Sequence, residues 1–583
     1  DALPISTCAR AIARFVQSKG VQQIFGLCGG HIQPIWDALH CLGLQIIDVR
    51  DERAAVHMAQ AQAELSGRPG LALVTAGPGF TNALTGIANA HIARTPVLIL
   101  SGIPPRPQLG LGALQELPQT AMAGPVTRYA RTVLHRRSLF IELEKAYQHC
   151  LGRFGDPGPA YLDFPTDLLR EAFPEAPDSV KVPSESPAVR PADSAVQSLA
   201  ERLAAARRPV VIAGKGARRA RQEMLRLLDA WDCLYLDTVE SRGLIPDTHP
   251  AAVPALRGRA MQEADLILTV GRHLDYQLGY GSPAVFPDAA FVRIGAAPAE
   301  LDGNRNAEQE LFGDIPTILQ TLASQLEDRL SAADQEWLVA LQTANRHKMQ
   351  ALSEQVLGQS RGSDRAIHPC FLLDRLRQSL DPRAVVVADG GDTLSFCRLL
   401  LSGFTSLDCG SFGCLGVGVP YGIAASLLYP GRQVVVISGD GAFGFNAMEM
   451  DTCVRHQARV LFVVANNQAW NIERTDQKVN FQERIVGSEL ENVNYAELAR
   501  SMGLYAENVQ DPDEIPVALS RALQRLPALV DVRVSRDVLS PDGRAGLAQV
   551  PDYQALEKWD HLERRKRNGQ CPSAPLCSGA QHE

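Results

Sequence analysis

Val434-Val435-Val436-Ile437-Ser438-Gly439-Asp440-Gly441, read together with Val460-Leu461-Phe462-Val463-Val464-Ala465-Asn466-Asn467, decides the fold class of this chain. Each stretch is an apolar, β-branched run that stops at a polar turn, as a strand buried on both faces does. Asp440 and Asn467 stand twenty-seven positions apart, which leaves room for a helix between the strands. Strand, glycine turn, helix and strand make a βαβ unit. Both polar ends then face one crevice at the carboxyl edge of a parallel sheet, where such folds bind ligands. One carboxylate and one amide oxygen there suit a hard cation; Mg²⁺ takes such oxygens and completes its shell with water and phosphate. The glycines let the backbone approach a diphosphate closely. An Asp-Gly turn is also an ordinary strand end with a capping asparagine pair, so the segment alone leaves both readings open.

Far upstream, Ile46-Ile47-Asp48-Val49-Arg50-Asp51-Glu52-Arg53-Ala54-Ala55 reads as a strand that ends in charged residues and enters a helix. Acids in a first helical turn complement the macrodipole, which is one account of Asp51 and Glu52. A carboxylate kept for chemistry is the other.

The 583 residues exceed what one hydrophobic core serves, so about three domains are expected. Strand-like runs alternate with helical stretches in three segments: 1–175, 192–345 and 365–537. That alternation implies α/β architecture, three doubly wound parallel sheets covered on both faces. A Pro- and Ser-rich linker, 174–191, separates the first two, and a polar tail occupies 538–583 with the basic run Arg564-Arg565-Lys566-Arg567. The formal charge of −8 gives no sign of nucleic-acid binding. No apolar run approaches the ~20 residues of a membrane helix. The twelve cysteines show no CxxC or metal-type spacing, and no signal peptide opens the chain, which suggests a reducing cytoplasm. Gly214-Lys215-Gly216 follows a strand but does not complete G-x-G-x-x-G; FAD or ADP in the middle segment stays an open question.

The chain to about residue 537 resembles the thiamine-diphosphate (ThDP) enzymes of the acetolactate synthase, benzaldehyde lyase, oxalyl-CoA decarboxylase and 2-hydroxyacyl-CoA lyase group. Besides the Gly439-Asp440-Gly441 and Asn466-Asn467 pair, the resemblance rests on Thr75-Ala76-Gly77-Pro78-Gly79-Phe80-Thr81-Asn82, Pro159 to Pro165, Asp389-Gly390-Gly391-Asp392 and Phe412-Gly413-Cys414-Leu415-Gly416-Val417-Gly418. It implies the pyruvate oxidase and decarboxylase type of architecture: a pyrimidine-binding domain, a central Rossmann-like domain and a diphosphate-binding domain. It also implies a homodimer or homotetramer, with cofactor held between the first domain of one subunit and the third of its partner.

By position, Asp440, Asn467 and the carbonyl of Ala469 would hold Mg²⁺ against the diphosphate. Gly391, Asp392, Thr393, Gly439, Gly441 and Ala442 would line the cofactor. Leu415 resembles the apolar wedge that bends ThDP, and the Gly413 carbonyl would accept from its amino group. Glu52 matches the glutamate that hydrogen-bonds the aminopyrimidine ring and promotes its imino form. His31, in Gly29-Gly30-His31-Ile32, and Gln115, in Ala113-Leu114-Gln115-Glu116, resemble the proton-handling and orienting pocket residues of benzaldehyde lyase. Lone histidines are often structural, and His57 and His91 are read that way.

Substrate is narrowed by departures. Acetolactate synthases carry a Trp shortly after the asparagine pair, where this chain has Asp476; Trp470 sits earlier, and with Ile472 and Glu473 it is expected at the substrate pocket. The long tail resembles the closing segments of the acyl-CoA lyase branch, and its basic run could meet coenzyme A phosphates. A solvated terminus is the plainer account. The resemblance thus implies a ThDP- and Mg²⁺-dependent lyase or carboligase. Its substrate would be a 2-hydroxyacyl-CoA, cleaved to formyl-CoA and an aldehyde or ketone, or alternatively free aldehydes or 2-keto acids.

Overall fold

The structure, a computed structural model, describes residues 6–173, 189–283 and 285–540; the side chains of residues 355–358 lie outside that description. The expected linker and tail fall almost wholly beyond these residues. The described residues form two compact units, one built from the first and last parts of the chain and one from the middle.

Three parallel sheets account for the strands, apart from one small antiparallel pair. That pair joins β1 (Ser6–Thr7) to β8 (Ala172–Phe173). The first sheet holds β2 (Gln23–Gly26), β3 (Gln45–Asp48), β4 (Gly70–Val74), β5 (Val97–Ile103), β6 (Tyr129–Thr132) and β7 (Ala160–Pro165), in the order β3-β2-β4-β5-β7-β6. The middle sheet holds β9 (Pro209–Ala213), β10 (Leu234–Leu236), β11 (Leu266–Val270), β12 (Ala290–Gly295) and β13 (Gln309–Phe312), in the order β10-β9-β11-β12-β13. The third holds β14 (Val385–Asp389), β15 (Thr405–Leu407), β16 (Val434–Gly439), β17 (Val460–Asn466), β18 (Tyr505–Val509) and β19 (Ala528–Arg533), in the order β15-β14-β16-β17-β19-β18. The first and third sheets therefore share one strand order. The expected α/β class with three doubly wound sheets is what the chain adopts.

The apolar runs form strands because both of their faces are covered. All seven residues of β17 are buried. In the middle sheet, alternate residues of β9 divide between two cores: Val211 and Ala213 pack on one face, Val210 and Ile212 on the other. That division is the period-two geometry of a strand buried on both sides.

Strand order then fixes where ligands can enter. In an open parallel sheet the crevice lies where the order reverses, beyond the carboxyl ends. In the first sheet that point separates β2 and β4, followed by the loops carrying His31 and Thr75 to Gly79. In the third it separates β14 and β16, followed by Gly390-Gly391 and Asp440.

Phe462 is fully buried on β17 and meets Phe443 edge-on, ring centroids 6.3 Å apart. Phe462→Ala is expected to cost roughly 3–5 kcal/mol and lower the melting temperature. Val517→Ala, at a position 53% exposed, should leave it nearly unchanged. Thermal melts of the two variants beside the parent chain check this.

Candidate active site

β16 runs into the helix Asp440–Asn446, so the Asp440 carboxylate sits at the first position of a helix that starts at the sheet edge. It accepts backbone N–H groups of the Asn467 turn as well as of its own, which brings the ends of β16 and β17 together as their spacing implied. Asp440 is 2% exposed, and burial pushes its carboxyl up to about 6. Asn467, also buried, turns its Oδ1 back to the Ala469 N–H at 3.0 Å.

Around this turn side chains press closely on the glycine backbone. A Cβ at Gly441 would lie 2.6 Å from the Trp470 ring, and one at Gly391 would lie 2.6 Å from Ile472 Cδ1. Trp470 and Ile472, expected at a substrate pocket, thus back the glycine loops, while Glu473 is exposed. Thr393 lies beneath Gly439, and with Asp392 and Asn467 it lines a narrow slot. Asn471, which sequence reading missed, donates to Asp392 at 3.0 Å and keeps a buried Oδ1 with no partner. Among the described residues no three His, Cys, Asp or Glu side chains assemble as a metal cluster. The site instead offers one carboxylate, one amide and backbone groups, a set that fits Mg²⁺ with a diphosphate.

Gly413 has φ +69° with nothing within 4 Å of its Cβ direction, and Leu415 beside it is only half-buried. Plain core packing therefore does not account for Leu415. The loop is fixed from below. The Asp389 carboxylate accepts from Gly390 and Gly418 at 2.8 Å and from Gly416 at 3.3 Å. Burial pushes this carboxyl up to about 6 as well. Asn446 adds a bond to the Gly416 carbonyl at 2.6 Å.

Glu52 opens the helix Glu52–Ser66, whose N-cap is the Asp51 side chain. It is 5% exposed, accepts from Asn82 at 3.1 Å, and would meet a Cβ at Gly79 at 3.0 Å. The start of this helix is tied to the third sheet's helices. Glu449 accepts the N–H groups of Arg50 and Asp51 at 2.9 and 3.0 Å, and Arg53 donates to the Phe445 carbonyl and to Asn446 Oδ1. Glu449 is 1% exposed, and burial pushes its carboxyl up to about 7.

The Gln115 side chain lies near the His31 ring, eighty-four positions away in sequence. Burial lowers the His31 pKa, which favours the neutral ring, and its buried Nδ1 has no partner. Gln115 takes φ +64° and packs against Gly77. His57 is fully buried, pushed down to about 3 and set edge-on to Tyr421, as expected of a structural residue. His91 is likewise lowered by burial.

In the middle unit, Gly214-Lys215-Gly216 lies at the switch point between β9 and β11. The turn is filled by the chain's own groups. Glu240 accepts from Lys215 at 3.4 Å and from the buried Arg272 at 2.9 Å, and a Cβ at Gly216 would lie 2.6 Å from Glu300 Oε1. Charges of both signs therefore meet at this turn, Glu240 and Glu300 with Arg218 and Arg272.

Family models match three stretches of the chain: the N-terminal ThDP-binding domain of thiamine pyrophosphate enzymes at residues 6–122, their central domain at 196–322, and their C-terminal ThDP-binding domain at 395–532. The chain belongs to the thiamine pyrophosphate enzyme family. A probable acetolactate synthase of Mycobacterium bovis is 33% identical over 554 residues, covering 93% of this chain and 98% of its own length. The 2-hydroxyacyl-CoA lyase 1 of Mus musculus is 30% identical, covering 90% and 94%. Oxalyl-CoA decarboxylase of Escherichia coli is 29% identical, covering 91% and 95%. No helix among the described residues is long and apolar enough to cross a membrane.

The Glu449 tether carries a pH signature. Its carboxyl is raised from 4.5 to about 7 on folding. The folded state therefore binds the extra proton between these values, and this group's contribution to stability is present below about 4.5 and lost by about 7. An amide in its place cannot ionise, so Glu449→Gln should gain stability relative to the parent chain as pH rises from 5 to 8, by on the order of 1–3 kcal/mol. Melting temperatures of both proteins across that range test the sign.

Proposed function

We propose that this chain is a ThDP- and Mg²⁺-dependent carbon–carbon lyase, reversible as a carboligase, that cleaves 2-hydroxyacyl-CoA to formyl-CoA and an aldehyde or ketone. The observation that carries the reading is the His31–Gln115 pair. A neutral imidazole with an unpartnered Nδ1 beside an orienting amide suits the removal and return of a substrate hydroxyl proton. When bound, ThDP would supply the nucleophilic carbon and the electron sink.

The chain's own groups divide the remaining work. Asp440, Asn467 and the Ala469 carbonyl would hold Mg²⁺; Gly391, Asp392, Thr393, Gly439, Gly441 and Ala442 would line the diphosphate. Gly413 and Leu415 would seat the ring system, and Glu52, steadied by Asn82, would hold the aminopyrimidine proton. His31 Nδ1 would take the substrate hydroxyl proton while Gln115 orients the adjoining oxygen. The basic run Arg564-Arg565-Lys566-Arg567 offers cations for the phosphates of coenzyme A. A homodimer or homotetramer would complete each site.

A second reading, carboligation of free aldehydes or 2-keto acids, is favoured by the mycobacterial relative named as an acetolactate synthase. Asp476, where those synthases place a Trp, counts against it.

The deciding experiment incubates the protein, with ThDP and Mg²⁺, with a 2-hydroxyacyl-CoA, the matching free 2-hydroxyketone and pyruvate, products followed by mass spectrometry. Formyl-CoA with an aldehyde or ketone is expected; turnover of the free compounds alone would move the protein to the second reading. Glu52→Gln should lower kcat by on the order of 10²-fold or more while ThDP still binds, as titration of the apoprotein measures.

A further inference from the structure

We infer that Gln119 is the positioning residue of this site, the clip that fixes His31 and Gln115 relative to the Glu52 loop; the inference rests on the proposed roles of those three residues. Gln119 is 1% exposed, and its side-chain amide spans two backbone segments. Its Oε1 accepts the Gly77 N–H at 2.6 Å, and its Nε2 donates to the Gly102 carbonyl at 3.2 Å and to Tyr161 Oη at 2.7 Å, with Ser101 Oγ at 3.5 Å.

Each anchored backbone carries one member of the site. Gly77 packs on Gln115, since a Cβ there would lie 2.7 Å from Gln115 Cβ and 3.0 Å from its carbonyl oxygen. Two residues on, Gly79 lies against the Glu52 carboxylate. Gly102 packs on His31 as closely, a Cβ there lying 2.5 Å from His31 Cβ and 2.6 Å from its carbonyl oxygen. The Gly77 and Gly102 segments, which carry the contacts to Gln115 and His31, are thereby held at fixed separation by one amide on the stretch that follows Gln115.

The amide is itself anchored. Tyr161 accepts from Gln119 and donates to Asp163 Oδ2 at 3.1 Å, which also accepts from Thr120 at 3.2 Å. Every hydrogen of this chain has one direction, from the Gly77 N–H inward to Asp163, so the orientation of the Gln119 amide is determined. Burial raises the Asp163 carboxyl and the Tyr161 hydroxyl, which keeps the anchor from ionising freely. A buried amide that meets two backbone groups and a phenol cannot be replaced by a carboxylate without setting like against like at Gly102.

Gln119→Glu keeps the shape and still accepts from Gly77, but it turns a carboxylate oxygen toward the Gly102 carbonyl. The expected result is a 10- to 100-fold fall in kcat/KM for a carbonyl substrate the parent enzyme turns over, with the Kd for ThDP within threefold. The His31 ring, followed by NMR and assigned with His31→Asn, should titrate at least half a unit away from its parent value. Glu52, Tyr161 and Asp163 are the titratable groups on the segments packed around the pair, so a variant at Tyr161 serves as the control. Tyr161→Phe leaves both backbone bonds of Gln119 in place and should stay within fivefold in kcat/KM with His31 unmoved. Parent-like turnover together with a parent-like His31 titration in Gln119→Glu would overturn the inference. A loss of ThDP affinity equal to the loss of turnover would do the same, as would Tyr161→Phe matching Gln119→Glu. The His31 titration needs no substrate, so it decides the inference even where the parent enzyme turns over none of the panel, a result that would sink the proposed reaction alone.

Discussion

The Asp389 carboxylate holds the diphosphate side of this molecule together. It lies at the end of β14, 1% exposed, and takes N–H groups from Gly390, Gly416 and Gly418. Loops that begin at two different points of the third sheet are thereby closed over a single buried anion. Desolvating a carboxylate is costly unless its lone pairs are met by donors, and three backbone donors meet this one. The exposed Gly413 and half-buried Leu415 lie in the loop that this closure pins. The loop is pinned on its C-terminal side and left free where the proposed cofactor contacts lie.

Two sheets with one strand order serve two different purposes. The first and third share the reversal between their first and third strands, so each has a crevice in the same relative place. In the third, short glycine loops and an Asp–Asn pair make the crevice suited to anions and a cation. In the first, the loops carry a His, amides and a carboxylate, the groups to which the proposed proton handling is assigned. The connection between them is made by side chains rather than by sheets. Glu449 and Arg53 tie the start of the Glu52 helix to the segment that follows Asp440. The middle sheet has the same kind of reversal, yet Arg272 and Glu240 meet within its turn. Topology alone supplies a crevice, and the side chains at the strand ends decide what it can hold.

What could be read in the sequence follows from how local each signal is. Asp440, Asn467 and the flanking strands stand out because a βαβ unit places spacing, polarity and periodicity in one short window. Glu52 was legible as an acid at a strand-to-helix junction, though the residue that bonds it, Asn82, was visible only as part of a motif. His31 and Gln115 could be named one at a time, but their approach joins loops from different strands and leaves no trace in spacing. Asp389, Glu449 and Gln119 gave still less. A buried acid at a strand end or in a short helix looks, in sequence, like any capping residue. Its partners are backbone N–H groups, which carry no residue identity at all.

Desolvation is also why the site is built from amides and buried acids rather than from paired charges. Ion pairs across these loops would have to be desolvated together, and their attraction would barely offset that cost. A Gln119 amide that bridges the Gly77 N–H and the Gly102 carbonyl holds geometry through directed hydrogen bonds that need no counter-ion. The acids that are present, Asp389, Asp440 and Glu449, are each surrounded by backbone donors, and burial raises all three carboxyls. For Asp389 and Glu449 those donors belong to the loops and helix start that they hold, so the negative charge is used to shape backbone. Asp440 likewise accepts backbone donors, from its own turn and that of Asn467, at the strand end where the proposed cation would relieve its desolvation. Its strand-end position beside Asn467 at the reversal of strand order, rather than its burial, is the ground for proposing the metal at Asp440.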